Sequence, residues 1–195
     1  NLTGATFEYA NLTNAVLTQA NLINARFNRY YQSGTGANLT NANFSQSNLT
    51  NTDFQFSVNM TGANLSSTNL TGALFHETTL TGASFTGAEI RGASFYSATG
   101  YGFTAAQLYS TASYVAHDLT GIKLTNSNLN GWNFAGQNLT DASFDSTNLE
   151  NVNFSGANLT NAAVFRSNLT NANLTGAVVT GASFYETTSR GFTQA

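Results

Sequence analysis

The side chains best suited to chemistry are few in this sequence. Two histidines, His76 and His117, each precede an acid, Glu77 and Asp118. A histidine beside a carboxylate is a pairing used in general base catalysis. No serine or cysteine is spaced to complete a triad with either, and both histidines read as surface or loop residues. The acids Glu8, Asp53, Glu77, Glu89, Asp118, Asp141, Asp145, Glu150 and Glu186 stand singly. That distribution suits neither paired catalytic carboxylates nor the clustered oxygen ligands of a calcium site. Cysteine is absent, which removes disulfides and thiolate metal sites. The glycines follow no phosphate-binding or dinucleotide fingerprint. The expectation is a protein that is not an enzyme, with no cofactor and no metal.

Other residues point to surface chemistry. Many segments read Asn-Leu-Thr or a variant and so match the acceptor pattern for N-glycosylation. Asn11, Asn38, Asn48, Asn138, Asn158 and Asn168 are the candidates. A repeated consensus also produces such matches, and Asn stacks such as Asn128, Asn148 and Asn168 can instead hydrogen-bond along a column. Thr120, Thr140, Thr160 and Thr180 form a ladder one residue wide, flanked by Asp118, Asn138, Asn158 and Val178. It reads as structural rather than as a water- or ice-binding array. Phe165, Tyr185 and Tyr96 are expected to project outward as contact residues for a partner.

All of these sit on one periodic framework. A central Leu or Phe, position i, recurs every five residues from Leu2 to Phe27, from Leu39 to Phe54, from Met60 to Phe95 and from Leu119 to Phe184. That makes about 32 repeats over roughly four-fifths of the chain. Five matches neither the helical nor the strand period. It fits a chain that turns a corner every five residues, with i and a small residue at i−2, often Ala, pointing inward. Gly or Asn at i+2 suits the corner. Four such faces make a coil of about 20 residues, and coils pair as parallel strands at ~4.8 Å. Position i then varies with the coil, so that Leu faces alternate with Phe-rich faces.

This pattern resembles that of the pentapeptide repeat family. The resemblance implies an all-β fold, a right-handed quadrilateral β-helix, interrupted here by a short α-helical insertion. It implies little about function, because fold and function separate easily. Some members of the family resemble DNA in shape and charge and occupy type II topoisomerases. That mimicry needs dense acidic rows, whereas this chain has nine acids against six bases.

The period breaks three times. Residues 30–36 read as a loop, and Gln55-Phe56-Ser57 carries one extra residue, expected as a bulge. Between Phe95 and Leu119 the stretch 104–114 reads as a helix, with Thr104 as N-cap and Leu108, Ala112 and Val115 on one stripe. The organisation is therefore a first β-helix block over 1–100, a helical break over 101–118 and a second block over 119–195. After the break the small i−2 position becomes bulky at Ile122, Trp132, Gln137 and Val152. Either these residues seat the helix or the coil simply widens. Residues 92–106 and 181–195 are alike, 89 positions apart, which suggests a tandem array of blocks.

Composition bounds the function. Only 8% of residues are charged and the net charge is −3, which excludes the basic footprint of a nucleic-acid binder. No apolar run approaches the ~20 residues of a membrane span. Ala195 followed by Asn1-Leu2-Thr3-Gly4 would spell another repeat. The expectation is head-to-tail stacking of copies through Asn1, Leu2, Phe192, Gln194 and Ala195, giving a rod or filament, with a glycosylated surface as an option. The stretch 102–114 followed by Asp118-Leu119-Thr120-Gly121-Ile122 resembles a module of secreted bacterial pentapeptide repeat proteins, which implies an extracellular or cell-surface location. The alternative is a non-enzymatic module that binds a protein or carbohydrate.

Overall fold

The structure, a computed structural model, describes residues 1–28 and 35–187. Most of the 30–36 loop lies outside them, as do Phe192, Gln194, Ala195 and the last residues of the likeness between 92–106 and 181–195.

Each repeat closes on itself before a strand can lengthen. The N–H of i+3 donates to the carbonyl of i, as from Ala5 to Leu2 at 3.0 Å and from Ala142 to Leu139 at 3.0 Å. Closure needs a left-handed residue at i+2, where φ is 67° at Gly4, 53° at Asn41 and 57° at Asn161. Glycine meets no steric penalty there and Asn tolerates it, which is why these types recur at the corner. Each face is left with a single bridge residue at i−1, and no longer strand forms among the described residues.

The bridges stack in parallel. Lys123 pairs with Ser143, Ser143 with Ala163, and Ala163 with Ser183, a step of four repeats each time. Four repeats per coil define a quadrilateral β-helix. Position i fills its interior. Phe7, Phe27, Phe54, Phe75 and Phe95 stack on one face with ring centroids 4.8–5.3 Å apart. Phe44 and Phe85, from the opposite face, meet this stack edge-on at 5.9 Å. The two remaining faces are mainly Leu, so Leu and Phe-rich faces alternate as the period implied. Three polar residues at i−2 are satisfied by backbone: the buried Thr52, Thr78 and Ser167 hydroxyls donate to the carbonyls of Leu22, Phe54 and Phe144 at 2.6–2.9 Å.

Longer steps mark the interruptions. Asn11 pairs with Asn38 across the loop. Asn38 pairs with Asn59, and this coil holds the extra residue because Phe56 and Ser57 are both left-handed, with φ of 57° and 63°. Ser94 pairs with Lys123, the longest step of all. That last coil carries a 3-10 turn, Ala98–Tyr101, then helix α1, Ala105–Tyr109, and helix α2, Ala112–Val115. It remains a coil of the solenoid, with Phe103 and Leu108 inside the one continuous apolar core.

The expected N-cap is present: the Thr104 hydroxyl accepts from the Gln107 N–H, and the Gln107 side-chain oxygen accepts from the Thr104 N–H at 2.7 Å. The single helix over 104–114 is not. Thr111 is extended, and its hydroxyl donates to the Leu108 carbonyl at 2.7 Å while accepting from the Tyr114 N–H at 3.1 Å. One side chain thereby ends α1 and caps α2. The break turns Val115 outward, 70% exposed, so the expected stripe of Leu108, Ala112 and Val115 does not form. Leu108, Thr111 and Ser113 are buried instead.

Candidate functional site

A coil made of helices offers few backbone groups to its neighbours, and side chains take over the missing rung. The Tyr109 hydroxyl accepts from the Asn133 N–H at 2.6 Å, and the Tyr114 hydroxyl donates to the Asn133 carbonyl at 2.8 Å. The Thr99 hydroxyl accepts from the Asn128 N–H at 3.0 Å. On the other side, Ser113 accepts from the Ile90 N–H at 2.9 Å, and the Gln107 amide donates to the Leu80 and Ala83 carbonyls at 2.9 and 2.8 Å. A buried backbone group without a partner is costly, which explains why polar side chains crowd this segment. Burial, with the neighbouring Tyr109, pushes the Tyr114 phenol up, so it stays a neutral donor.

The bulky side chains at position i−2 bear on this coil. Trp132 packs against Phe103, Tyr109 and Phe134 with centroids 6.1–6.4 Å apart. The buried Gln137 amide donates to the Tyr114 carbonyl at 3.0 Å and lies 3.3 Å from His117 Nδ1. Trp132 and Gln137 therefore seat the helices. An open groove of about 490 Å³ runs beside them, lined by Thr99, Phe103, Thr104, Asn128 and Trp132.

A charged lock joins α2 to the coil before it. Ser113 donates to Glu89, Arg91 pairs with Glu89 at 2.9 Å, and Arg91 reaches Asp118 at 3.5 Å. Burial pushes the Glu89 carboxyl up, but hydrogen bonds from Ser113 and Arg91 outweigh it and leave Glu89 below its ordinary value. Asp118 is lowered by the Thr120 hydroxyl, against burial, and further by Arg91.

Beyond this coil the faces divide into two kinds. Two opposite faces carry Asn-X-Thr rungs. In each, the Asn oxygen accepts from both the N–H and the hydroxyl of the Thr two residues on, as in Asn38–Thr40, Asn138–Thr140 and Asn168–Thr170, with hydroxyl distances of 2.6–2.7 Å. The amide nitrogens reach the preceding coil: Asn148 to Asn128 at 3.0 Å, Asn168 to Asn148 at 3.2 Å, and Asn158 to Thr140 at 3.1 Å. Asn138, Asn158 and Asn168 thus direct their amides along the axis, the first to Thr120, and Asn48 orders its own turn. Asn11 is exposed and binds only Thr13. The hydroxyls of Thr120, Thr140 and Thr160 point their protons at Asp118, Asn138 and Asn158.

A third face is different in kind. Its i−1 column contains Arg26, Asp53 and Lys123 in one line of bridges. Its outward i+1 column contains Glu8, Gln55, His76, Tyr96, Asp145, Phe165 and Tyr185, placed by the backbone hydrogen bonds that join rung to rung, and Phe56 stands at the adjoining corner. His76 sits between Phe56 and Tyr96 at 5.0 and 4.2 Å, with Glu77 at 3.5 Å. Phe165 and Tyr185 stack at 5.4 Å, Arg166 covers Phe165 at 4.5 Å, and Arg166 pairs with Glu186 at 2.7 Å. That pairing holds the Glu186 carboxyl below its ordinary value. Sequence reasoning picked out Tyr96, Phe165 and Tyr185 and read His76 as a surface residue beside Glu77, but missed Phe56 and the rings that flank His76. The extra residue at 55–57 hides Phe56 from the five-residue count. His117 is exposed at the end of the helical coil, on another face. No group of three or more potential metal ligands occurs among the described residues.

This coil geometry defines a class, the pentapeptide solenoids. The model of the family described as pentapeptide repeats matches residues 1–29, 35–57, 59–95, 118–156 and 153–188 in eight copies, and the chain belongs to that family. Among curated proteins none matches. Solved structures do. HetL, a pentapeptide repeat protein involved in heterocyst differentiation regulation in the cyanobacterium Nostoc sp. strain PCC 7120, is 24% identical over 92% of this chain and 84% of its own, with a TM-score of 0.24. Rfr23 from the cyanobacterium Cyanothece 51142 is 21% identical over 91% and 88%, with a TM-score of 0.29. QnrB1, a plasmid-mediated fluoroquinolone resistance protein, is 20% identical over 94% and 81%, with a TM-score of 0.32.

Proposed function

We propose that this chain is a structural protein without catalytic activity, a right-handed rod that copies of itself extend head to tail. The carrying observation is the uniformity of the coil stack: bridge residues on one face pair in parallel from Thr6 to Ser183, and the Leu and Phe side chains of successive coils form one continuous core. Each coil presents the next with the same backbone groups and the same apolar interior, so a stack of this kind extends by adding like coils. The amide ladders support a mechanical role, because outward side chains bind the neighbouring coil.

We also place the rod outside the cell or on its surface, with Asn11 the acceptor best exposed for a glycan. Its Nδ2 is not drawn into an axial ladder. Electron microscopy of the purified chain, with sedimentation velocity over a range of concentrations, tests the assembly. Fibres whose mean length grows with concentration are expected. Compact single particles at high concentration would overturn the reading. Intact mass spectrometry of material from its natural source tests glycosylation, with hexose-sized increments expected and a bare polypeptide mass counting against it.

A further inference from the structure

Eight charged side chains lie on or at the corner of one face: Glu8, Arg26, Asp53, Glu77, Lys123, Asp145, Arg166 and Glu186. Fifteen occur in the whole sequence. The same face carries the outward His76, Tyr96, Phe165 and Tyr185, with Phe56 at its corner in contact with His76. Aromatic residues and Arg are enriched at protein interfaces, with polar and charged groups at the rim. The ring stacks bear on which partner fits. Phe165 and Tyr185 lie face to face along the rod with planes 8° apart, so each covers the other's face. That arrangement leaves edges rather than faces for a sugar chain running along the rod, and it favours a protein surface.

We infer that this face pairs side by side with the same face of a second copy, the two rods running antiparallel. A two-fold axis lying in the face and across the rods keeps each column opposite itself and reverses the order of rungs. One register makes the columns complementary. It sets Gln55, with Phe56 at the corner beside it, against Phe165, His76 against Asp145 and Tyr96 against Thr125, and symmetry repeats each pairing. In the bridge column of that register Asp53 faces Ala163, Lys123 faces Ser94 and Arg26 faces Ser183, so no like charges meet directly. The parallel arrangement, with its axis along the rods, sets Lys123 against Thr125 and Asp53 against Gln55 and makes no such pairs.

The shared stretch from Arg26 to Tyr185 spans seven steps of ~4.8 Å, roughly 34 Å, and the outward strip is roughly 10 Å wide. A footprint of roughly 340 Å² falls well below the ~800 Å² per partner of a stable complex. The pair is therefore a weak dimer, of micromolar affinity or weaker. Side-by-side pairing closes at two copies, whereas end-to-end stacking is open-ended.

The native chain has no cysteine, which makes cross-linking specific. His76→Cys and Asp145→Cys chains are prepared separately, checked for an unchanged circular dichroism spectrum and melting temperature, then mixed and mildly oxidised. The inference predicts a covalent dimer from the mixture and none from either variant alone, since like positions lie three rungs apart and beyond disulfide reach. The unaltered chain should show a monomer–dimer equilibrium in sedimentation below the concentration at which fibres form, and fibres two rods wide above it. A further variant, His76→Asp, should abolish the dimer, and Asp145→His added to it should restore it. A cross-link from His76→Cys alone, an unaffected dimer in His76→Asp, or a monomer at every concentration would overturn the inference. End-to-end stacking alone gives no cross-link in the mixture and fibres one rod wide, and side-by-side pairing alone gives the cross-link without fibres, so the two proposals fail separately.

Discussion

Replacing Tyr109 with Phe removes one atom from the rung that the helical coil builds for Asn133. The ring stays, and with it the packing against Tyr114 at 4.6 Å and Trp132 at 6.4 Å. What is lost is the acceptor 2.6 Å from the Asn133 N–H. A neutral hydrogen bond contributes about 0.5–1.5 kcal/mol net. Asn133 is exposed, so water replaces part of the loss, and about 0.5–1 kcal/mol is expected. Hydrogen exchange at the Asn133 amide reads this locally, as about a two- to fivefold faster rate in Tyr109→Phe at ~1.4 kcal/mol per tenfold. The Asn153 amide is the control. It donates to the Trp132 backbone carbonyl at 3.0 Å in an ordinary rung and should not change. Tyr114→Phe, which removes a donor to the Asn133 carbonyl, should lower stability similarly, and the double variant should cost less than the sum because both act on one residue. An unchanged Asn133 exchange rate in Tyr109→Phe would refute the side-chain rung.

Three further outcomes follow from the geometry. Gly102→Ala should destabilise strongly, because a Cβ there would stand 2.9 Å from the Thr81 backbone at φ +93°, whereas Gly131→Ala meets nothing within 4 Å and should cost only about 1 kcal/mol by chemical denaturation. Phe75→Ala empties the middle of a fully buried ring stack and should cost about 3–5 kcal/mol by the same measurement. Glu89 and Asp118 both titrate below their ordinary values of 4.5 and 3.8. Depressed folded-state values stabilise above the unfolded values and lose that stabilisation as pH falls through the folded ones. Thermal melts should therefore hold steady from neutral pH to about 5 and fall below the ordinary carboxylate range, and Glu89→Gln should flatten part of that fall.

The regular coils were open to reading because one rule covers every repeat. The Leu or Phe at i, the small residue at i−2 and the Gly or Asn at i+2 each follow from one turn, and the structure repeats that turn from Leu2 to Phe184. The Asn128–Asn148–Asn168 ladder followed from the same count. The helical coil was legible only in part. Thr104 announces its cap in sequence, but Thr111 looks like any helical Thr until its hydroxyl is seen bridging α1 and α2. The pairing of Tyr109 and Tyr114 with Asn133 spans 24 and 19 residues, separations that no five-residue rule addresses. His76 read as an isolated polar residue because its neighbours, Phe56 and Tyr96, lie one coil away on either side.

A single coil stack runs unbroken through the helical segment, and one distance tests this most directly. Thr18 and Ser155 lie on one face, six rungs apart by way of Ser45, Ser66, Thr86, the helical coil and Ala135. At ~4.8 Å per rung their backbones stand roughly 29 Å apart. In a chain without native cysteine, spin labels on Thr18→Cys and Ser155→Cys, diluted with unlabelled protein, report that separation by pulsed dipolar spectroscopy. A narrow distribution centred on that separation, allowing for the label arms, is the predicted result. A broad distribution, or one displaced outward by a coil or more, would mean that the helices link two separate blocks, and it would contradict the continuous stack.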